Sequence, residues 1–295
     1  MPATISSPAP SANGWWRGRL WAVPLALGVL AIVVPTFRGI SKVSWSTEQG
    51  AHGPIVLAIG VWLLVRQWPV LTRNAVPGNP RIGWPLLVAA LGGYFMARLV
   101  GSITIESGMM YLALVATLYL FVGAAAMRMA WFPIAFLLFV LPPPGSVVAA
   151  ATQPLRLEIS QQAVNLLALF GYPVARAGLI IYVDQYVLEV KAACGGLNSI
   201  ISLTAIGLFY AYVRHNANVR YVAVLFVAIT AMAVLANFVR VIILILTTYY
   251  LGDRAAQGFL HQFAGLTMFT VAIGGVMLFD ALAGPLRRML RGAAA

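Results

Sequence analysis

Charge is scarce in this sequence: only 9% of its 295 residues are Asp, Glu, Lys or Arg, against about one quarter in an ordinary soluble domain. Hydrophobic residues make up 61%. A water-soluble core of this length cannot hide so much apolar surface, whereas about 20 apolar residues suffice for each helix that crosses a bilayer. Cysteine is scarcer still. Cys194 is the single thiol, which excludes an intrachain disulfide, and no Cys/His cluster at metal-ligand spacing accompanies it. Neither metal chemistry nor paired-thiol redox chemistry is expected, and no cofactor is. Acidic residues number 7 against 19 Lys and Arg, for a net charge of +12. A nucleic-acid binder gathers such cations into a patch. Here they punctuate the gaps between apolar runs, so they read as topology signals rather than as a nucleic-acid surface.

The apolar runs predict an all-α polytopic membrane protein of about eight transmembrane helices, at 18–35, 54–71, 83–100, 107–127, 129–145, 194–213, 217–248 and 258–282. The first run, Leu20 to Val34, has the length of a signal-peptide core, but Pro35-Thr36-Phe37-Arg38 follows it instead of a small-x-small cleavage site. It is read as an uncleaved span with Trp15, Trp16 and Trp21 at the interface. Residues 1–14, rich in Ser, Pro and Ala, read as a disordered cytoplasmic tail. Residues 15–285 read as one transmembrane domain, and 286–295 as a second cytoplasmic tail.

Orientation follows from the cations. With the N-terminus inside, the inner segments hold Arg66, Arg73, Arg81, Arg128, Arg214, Arg220 and the C-terminal arginines. Six of the seven carboxylates, Glu48, Glu106, Glu158, Asp184, Glu189 and Asp253, fall outside. Both termini are then cytoplasmic, and in a bacterial inner membrane the outer face is periplasmic. The stretch 142–193 is too polar for a span and too apolar for a free loop. It predicts a small outer cap, with an interfacial amphipathic helix at 149–170 and a β-hairpin over Gly178 to Val190 turning at Asp184-Gln185.

Three residues stand out at the outer side: Cys194 before Gly195-Gly196 at the start of the sixth span, Arg240 inside the seventh, and His261 at the start of the eighth. An arginine in an apolar run costs several kcal/mol unless it meets a cavity or partner. Asn237 lies three residues earlier, on the same helical face. Snorkelling to the headgroups and helix stitching would also account for this pair. A thiol at a helix N-terminus gains thiolate character, and two glycines allow a substrate backbone to approach closely. The alternative for Cys194 is a small buried hydrophobe, and for His261 a satisfied interfacial side chain. Together the three supply a nucleophile, a fixed cation and a proton carrier, which acyl transfer through a thioester requires. His52, with Trp45 and Glu48 in the first outer loop, can reach such a site from above or anchor the loop. Glu189 can tune the site or pair with Lys191.

At these residues the sequence resembles the exosortase/archaeosortase family of membrane transpeptidases, whose pattern has a Cys-x-Gly segment, then Asn-x-x-Arg, then His in three consecutive helices. Here those are Cys194-Gly195-Gly196, Asn237-Phe238-Val239-Arg240 and His261-Gln262-Phe263-Ala264-Gly265. The likeness covers roughly residues 45 to 280, including His52-Gly53-Pro54 and the segment ending in Pro142-Pro143-Pro144. It departs at Gly195, where family members often have Ser. The resemblance implies a protein-sorting enzyme that recognises a short motif, a transmembrane helix and a basic tail at the C-terminus of membrane-anchored substrate proteins. It also implies roles: Cys194 as nucleophile, Arg240 as oxyanion stabiliser and His261 as acid and base, with transfer to a glycan or lipid acceptor beside exopolysaccharide synthesis. Two other classes fit the same residues: a non-enzymatic transporter or scaffold for polysaccharide export, with Arg240 lining an anion path, and a thiol hydrolase without an acceptor.

Overall fold

The computed structural model describes residues 19–46, 50, 52–178, 180–189, 199–215, 219–257 and parts of 270–284. Cys194, Gly195, Gly196, His261, Gly265, Glu48 and the expected tails at 1–14 and 286–295 lie outside the described residues.

Four long helices open the chain: α1 (Arg19–Ile40), α2 (Gly53–Arg73), α3 (Pro80–Val100) and α4 (Ile103–Met129). Pro80 stands at the first position of α3, where a missing N–H costs nothing, and the Asn79 side chain accepts from the Arg81 backbone N–H at 2.9 Å. Gly101 closes α3 in the left-handed region at φ 75°. A π-helical turn, Ser41–Trp45, continues α1. The Trp45 indole lies 5.6 Å from the Phe37 ring and covers Gly53, where any side chain would collide with it.

The fifth expected span, 129–145, is different in the structure. Helix α5 (Trp131–Phe136) tightens into a 3-10 turn (Leu137–Val140), and the chain then bends by 87° into α6 (Gly145–Leu169). The cause is Pro142-Pro143-Pro144: Leu141 before them is extended at φ −76°, ψ 136°, and prolines cannot donate the next helical hydrogen bonds. The segment rises only about 15 Å, half of the ~30 Å hydrocarbon layer.

Helix α6 carries the expected amphipathic pattern and starts before residue 149. Ile159, Ser160, Ala163, Val164 and Leu167 are buried, while Glu158, Gln162 and Asn165 are exposed. The expected hairpin is present as β2 (Ile180–Val183) and β3 (Tyr186–Glu189), with Asp184 in the left-handed region at φ 52° in its turn. A further strand, β1 (Val174–Ala177), pairs antiparallel with β2, so the sheet has three strands in the order β1-β2-β3.

The remaining described helices are α7 (Ser199–His215), α8 (Val219–Leu251) and the short α9 (Asp253–Gln257). Two of the four buried clusters among the described residues frame the later helices. In the first, Ile159, Val164 and Leu167 of α6 and Ile181 and Leu188 of the sheet close on Val241, Leu244 and Ile245 of α8 and Ala256 of α9. In the second, α2, α5 and α7 meet through Val56, Leu63, Phe136 and Ala205, and the Phe132 and Tyr212 rings stack 3.9 Å apart. Helix α7 lies between α8 and the second core, with Gly207 allowing close approach of Ile229.

Among the described residues five helices are long and apolar enough to cross a membrane, or six if the bent pair counts as one span. The sixth expected span corresponds to α7, of which 17 residues are described, and the eighth appears only as a helical stretch at 277–282. The architecture is therefore a helical membrane bundle with a small three-stranded sheet.

Candidate functional site

Helix α8 is apolar along almost its whole length, yet Arg240 is buried to 5% exposure and Asn237 completely. Three residues apart, they share one face. Neither amide atom of Asn237 has a hydrogen-bond partner among the described residues. A buried amide in that condition costs about 1–3 kcal/mol, so the pair concentrates polar capacity where the helix otherwise offers none. Snorkelling does not describe this arginine, because its side chain is enclosed by protein.

The next residues along α8, Val241, Leu244 and Ile245, belong to the core shared with α6 and the sheet. Arg240 thus directly precedes in sequence the stretch of α8 that packs against α6 and the sheet. Thr248 is also buried on α8, its hydroxyl donating to the Leu244 carbonyl at 2.8 Å. The end of the helix is pinned to the cap by the Tyr172 and Tyr250 hydroxyls, 2.9 Å apart, and by Tyr186, whose hydroxyl packs against Gly252 at the α8–α9 corner. Gly252 has φ 82°, which a side chain rarely adopts. The hydrogen bond to Tyr250 is the main cause that holds the Tyr172 phenol above its ordinary value of 10.0.

The described chain stops a few residues short of Cys194 and His261. Strand β3 ends at Glu189, five residues before Cys194, and α7 begins at Ser199, five residues after it. Helix α9, whose Ala256 is in the cap core, ends at Gln257, four residues before His261. Glu189 is exposed at the end of β3, opposite Ile180. His52 stands at the N-cap position of α2, half-buried, with its carbonyl accepting from Val56 at 3.0 Å. Its chain neighbours Gly53 and Val56 pack with Trp45 on the α2/α5/α7 core rather than on the cap core.

Two polar clusters were not anticipated from the sequence. Glu106, read there as a loop carboxylate, lies in the first turn of α4 at 7% exposure; it pairs with Arg98 of α3 at 3.1 Å and accepts from Thr36 of α1 at 2.8 Å. Asp280, the one carboxylate not placed outside, is buried and accepts from Tyr210 of α7 at 2.7 Å. The available signal was a carboxylate within reach of an apolar run, which the membrane tolerates only with a partner.

Comparison with known protein families matches residues 44–278 to the transmembrane exosortase family (Exosortase_EpsH), well over half of the chain. No curated protein and no solved structure matches the chain. The matched range contains Arg240 and Asn237 on α8, helix α6 and the sheet, and both motifs that carry Cys194 and His261. The chain belongs to the transmembrane exosortase family.

Proposed function

We propose that this protein is a membrane-embedded cysteine transpeptidase that removes C-terminal sorting signals from membrane-anchored proteins. The observation that carries the reading is Arg240: an arginine buried to 5% exposure in a mostly apolar helix, next in sequence to the residues that pack on α6 and the sheet, with the buried amide of Asn237 one turn away. A fixed cation there suits a developing oxyanion, since a preorganised charge in a water-poor site stabilises the transition state most.

In this reading the Cys194 thiolate attacks the carbonyl of the scissile peptide bond. The carbonyl oxygen takes the electron pair and becomes the oxyanion that Arg240 stabilises. Collapse breaks the C–N bond, and His261 gives its proton to the departing amine, which leaves with the substrate's transmembrane helix. A thioester on Cys194 remains. A hydroxyl or amine of a surface glycan or lipid then attacks it, His261 takes the proton, and the thiolate is released. Asn237 orients Arg240, while Gly195, Gly196 and Gly265 keep space for the substrate backbone. His52 and Glu189 act at most as neighbours of the site, since Val56 one turn after His52 packs on the α2 core and Glu189 is exposed. Catalysis takes place at the periplasmic face of a bacterial inner membrane.

The test is co-expression of wild type and Cys194→Ala with a membrane-anchored candidate substrate from the same genome, followed by mass spectrometry of the substrate's new C-terminus. Processing by the wild type alone supports the nucleophile. An added mass identifies the acceptor, and a free carboxylate indicates hydrolysis. Equal processing by both variants sinks the assignment.

A further inference from the structure

The short fifth segment leaves space beside it. A cleft of about 640 Å³ opens between the last turns of α1 and helices α2 and α4, floored by Leu137, Val140 and Leu141. Its volume lies within the range of small-molecule sites, ~300–1,000 Å³. Val33, Phe37 and Ser41 follow one another at helical spacing along the α1 wall, and Leu57 and Val61 face them from α2. The lining is almost wholly apolar, and an apolar cavity excludes water. Its occupant needs a long apolar body.

One rim of the cleft is cationic. Arg38, exposed in the last turn of α1, lines it, and Lys42 is exposed one turn further on. Both stand at the end of the span opposite Arg19, against the usual enrichment of cations at the inner face. Arg98, at the same end of α3, has its counter-ion in Glu106 at 3.1 Å. Among the described residues Arg38 has no carboxylate within ion-pair distance. An apolar slot headed by an exposed guanidinium is complementary to an amphiphile with an anionic head.

We propose that this cleft holds one phospholipid with an anionic headgroup, its acyl chain between α1 and α2 and its phosphate on Arg38. The proposal is independent of the catalytic reading, because none of its residues belongs to that machinery. The 3-10 turn at Leu137–Val140 forms the floor, so the lipid fills volume that a full-length fifth helix would occupy.

The experiment reconstitutes the full-length protein in mixed micelles containing equal amounts of phosphatidylglycerol and phosphatidylcholine, and measures retained lipid by native mass spectrometry. Wild type should retain one lipid with phosphatidylglycerol enriched about fivefold, the discrimination one basic residue supplies near a membrane surface. Arg38→Gln should keep a lipid but lose the enrichment. Leu114→Trp, on the α4 wall, should lose the lipid. Arg38 is exposed, so its variant folds whether or not the tryptophan variant does. Wild-type retention without headgroup preference, or unchanged preference in Arg38→Gln, overturns the proposal. So does a photo-crosslinker at Val34 that captures a polypeptide instead of a lipid in intact cells.

Discussion

Tyr210 of α7 donates its phenolic proton to Asp280 Oδ2 at 2.7 Å, joining the helix that follows Cys194 to the helical stretch that follows His261. Asp280 is 3% exposed, so this bond fixes the two helices from the end remote from the cap. Removing the donor leaves a buried acceptor short of a partner. Tyr210→Phe is therefore expected to lower the unfolding free energy in detergent by about 1.5–3 kcal/mol, the usual worth of a hydrogen bond to a charged group. An unchanged midpoint in a denaturant titration would show that the bond is not a stabilising contact.

Arg240 gives the sharpest test within the catalytic reading. Arg240→Ala should reduce turnover of a validated substrate about 10²–10³-fold with little change in KM, because the lost interaction forms only in the transition state. Lysine keeps the charge but not the planar fork, so Arg240→Lys should recover only part of the rate. A large rise in KM with kcat intact would instead make Arg240 a substrate-binding cation.

Glu106 joins α1, α3 and α4 at one point through Thr36 and Arg98. Glu106→Ala takes one acceptor from the buried Thr36 hydroxyl, which keeps the Ile32 carbonyl at 2.8 Å, and removes the counter-ion of Arg98; it should cost about 1–3 kcal/mol. In a double-mutant cycle with Thr36→Val the two effects should fall short of additivity. Strict additivity would mean that the two side chains do not interact.

Gly123 interrupts α4 at φ 74°, and a side chain there would run into the Val76 carbonyl. Gly123→Ala combines an unfavourable backbone region with that collision, so a loss of at least 1–2 kcal/mol is expected, visible as lower folded yield in the membrane. Wild-type yield and thermal stability in this variant would contradict the described loop contact.

The Tyr172 phenol, raised above 10.0 chiefly by its bond to Tyr250, has a definite pH signature. A folded-state value above the unfolded one gives a contribution that is present below about pH 10 and is lost as pH rises through the folded value. Site-resolved tyrosine NMR should find Tyr172 titrating above 10.0, and Tyr250→Phe should bring it back down. A Tyr172 titration unaffected by Tyr250→Phe would disprove the link.

Much of the fold was legible because bilayer helices must be long and apolar. The runs read at 54–71, 83–100 and 107–127 lie within α2, α3 and α4, and the amphipathic pattern at 149–170 corresponds to α6. Strand β1 was missed because Val174-Ala175-Arg176-Ala177 carries one large apolar residue in four and takes its strand character from pairing with β2. The fifth apolar run reads longer in sequence than its helix because apolarity continues to Leu141, whereas Pro142-Pro143-Pro144 end the helical geometry at Val140. The buried Asn237 and Arg240 stand out in the sequence by their polarity in an apolar run. Asp280 and the Thr36–Glu106 bond escaped because a contact between distant spans leaves no local trace in the sequence.

The break in α4 also bears on biogenesis. The Leu120 and Val122 carbonyls, next to the kink at Gly123, accept from the backbone N–H groups of Gly78 and Val76, each at 3.2 Å. In hydrocarbon an unsatisfied backbone group costs several kcal/mol, so the kinked helix and its donor loop stabilise each other. Translation supplies the loop first: residues 74–79 leave the ribosome about forty positions before Gly123. The loop is thus made before the kink it supports, and the pair of helices joined there is built to enter the membrane as one unit.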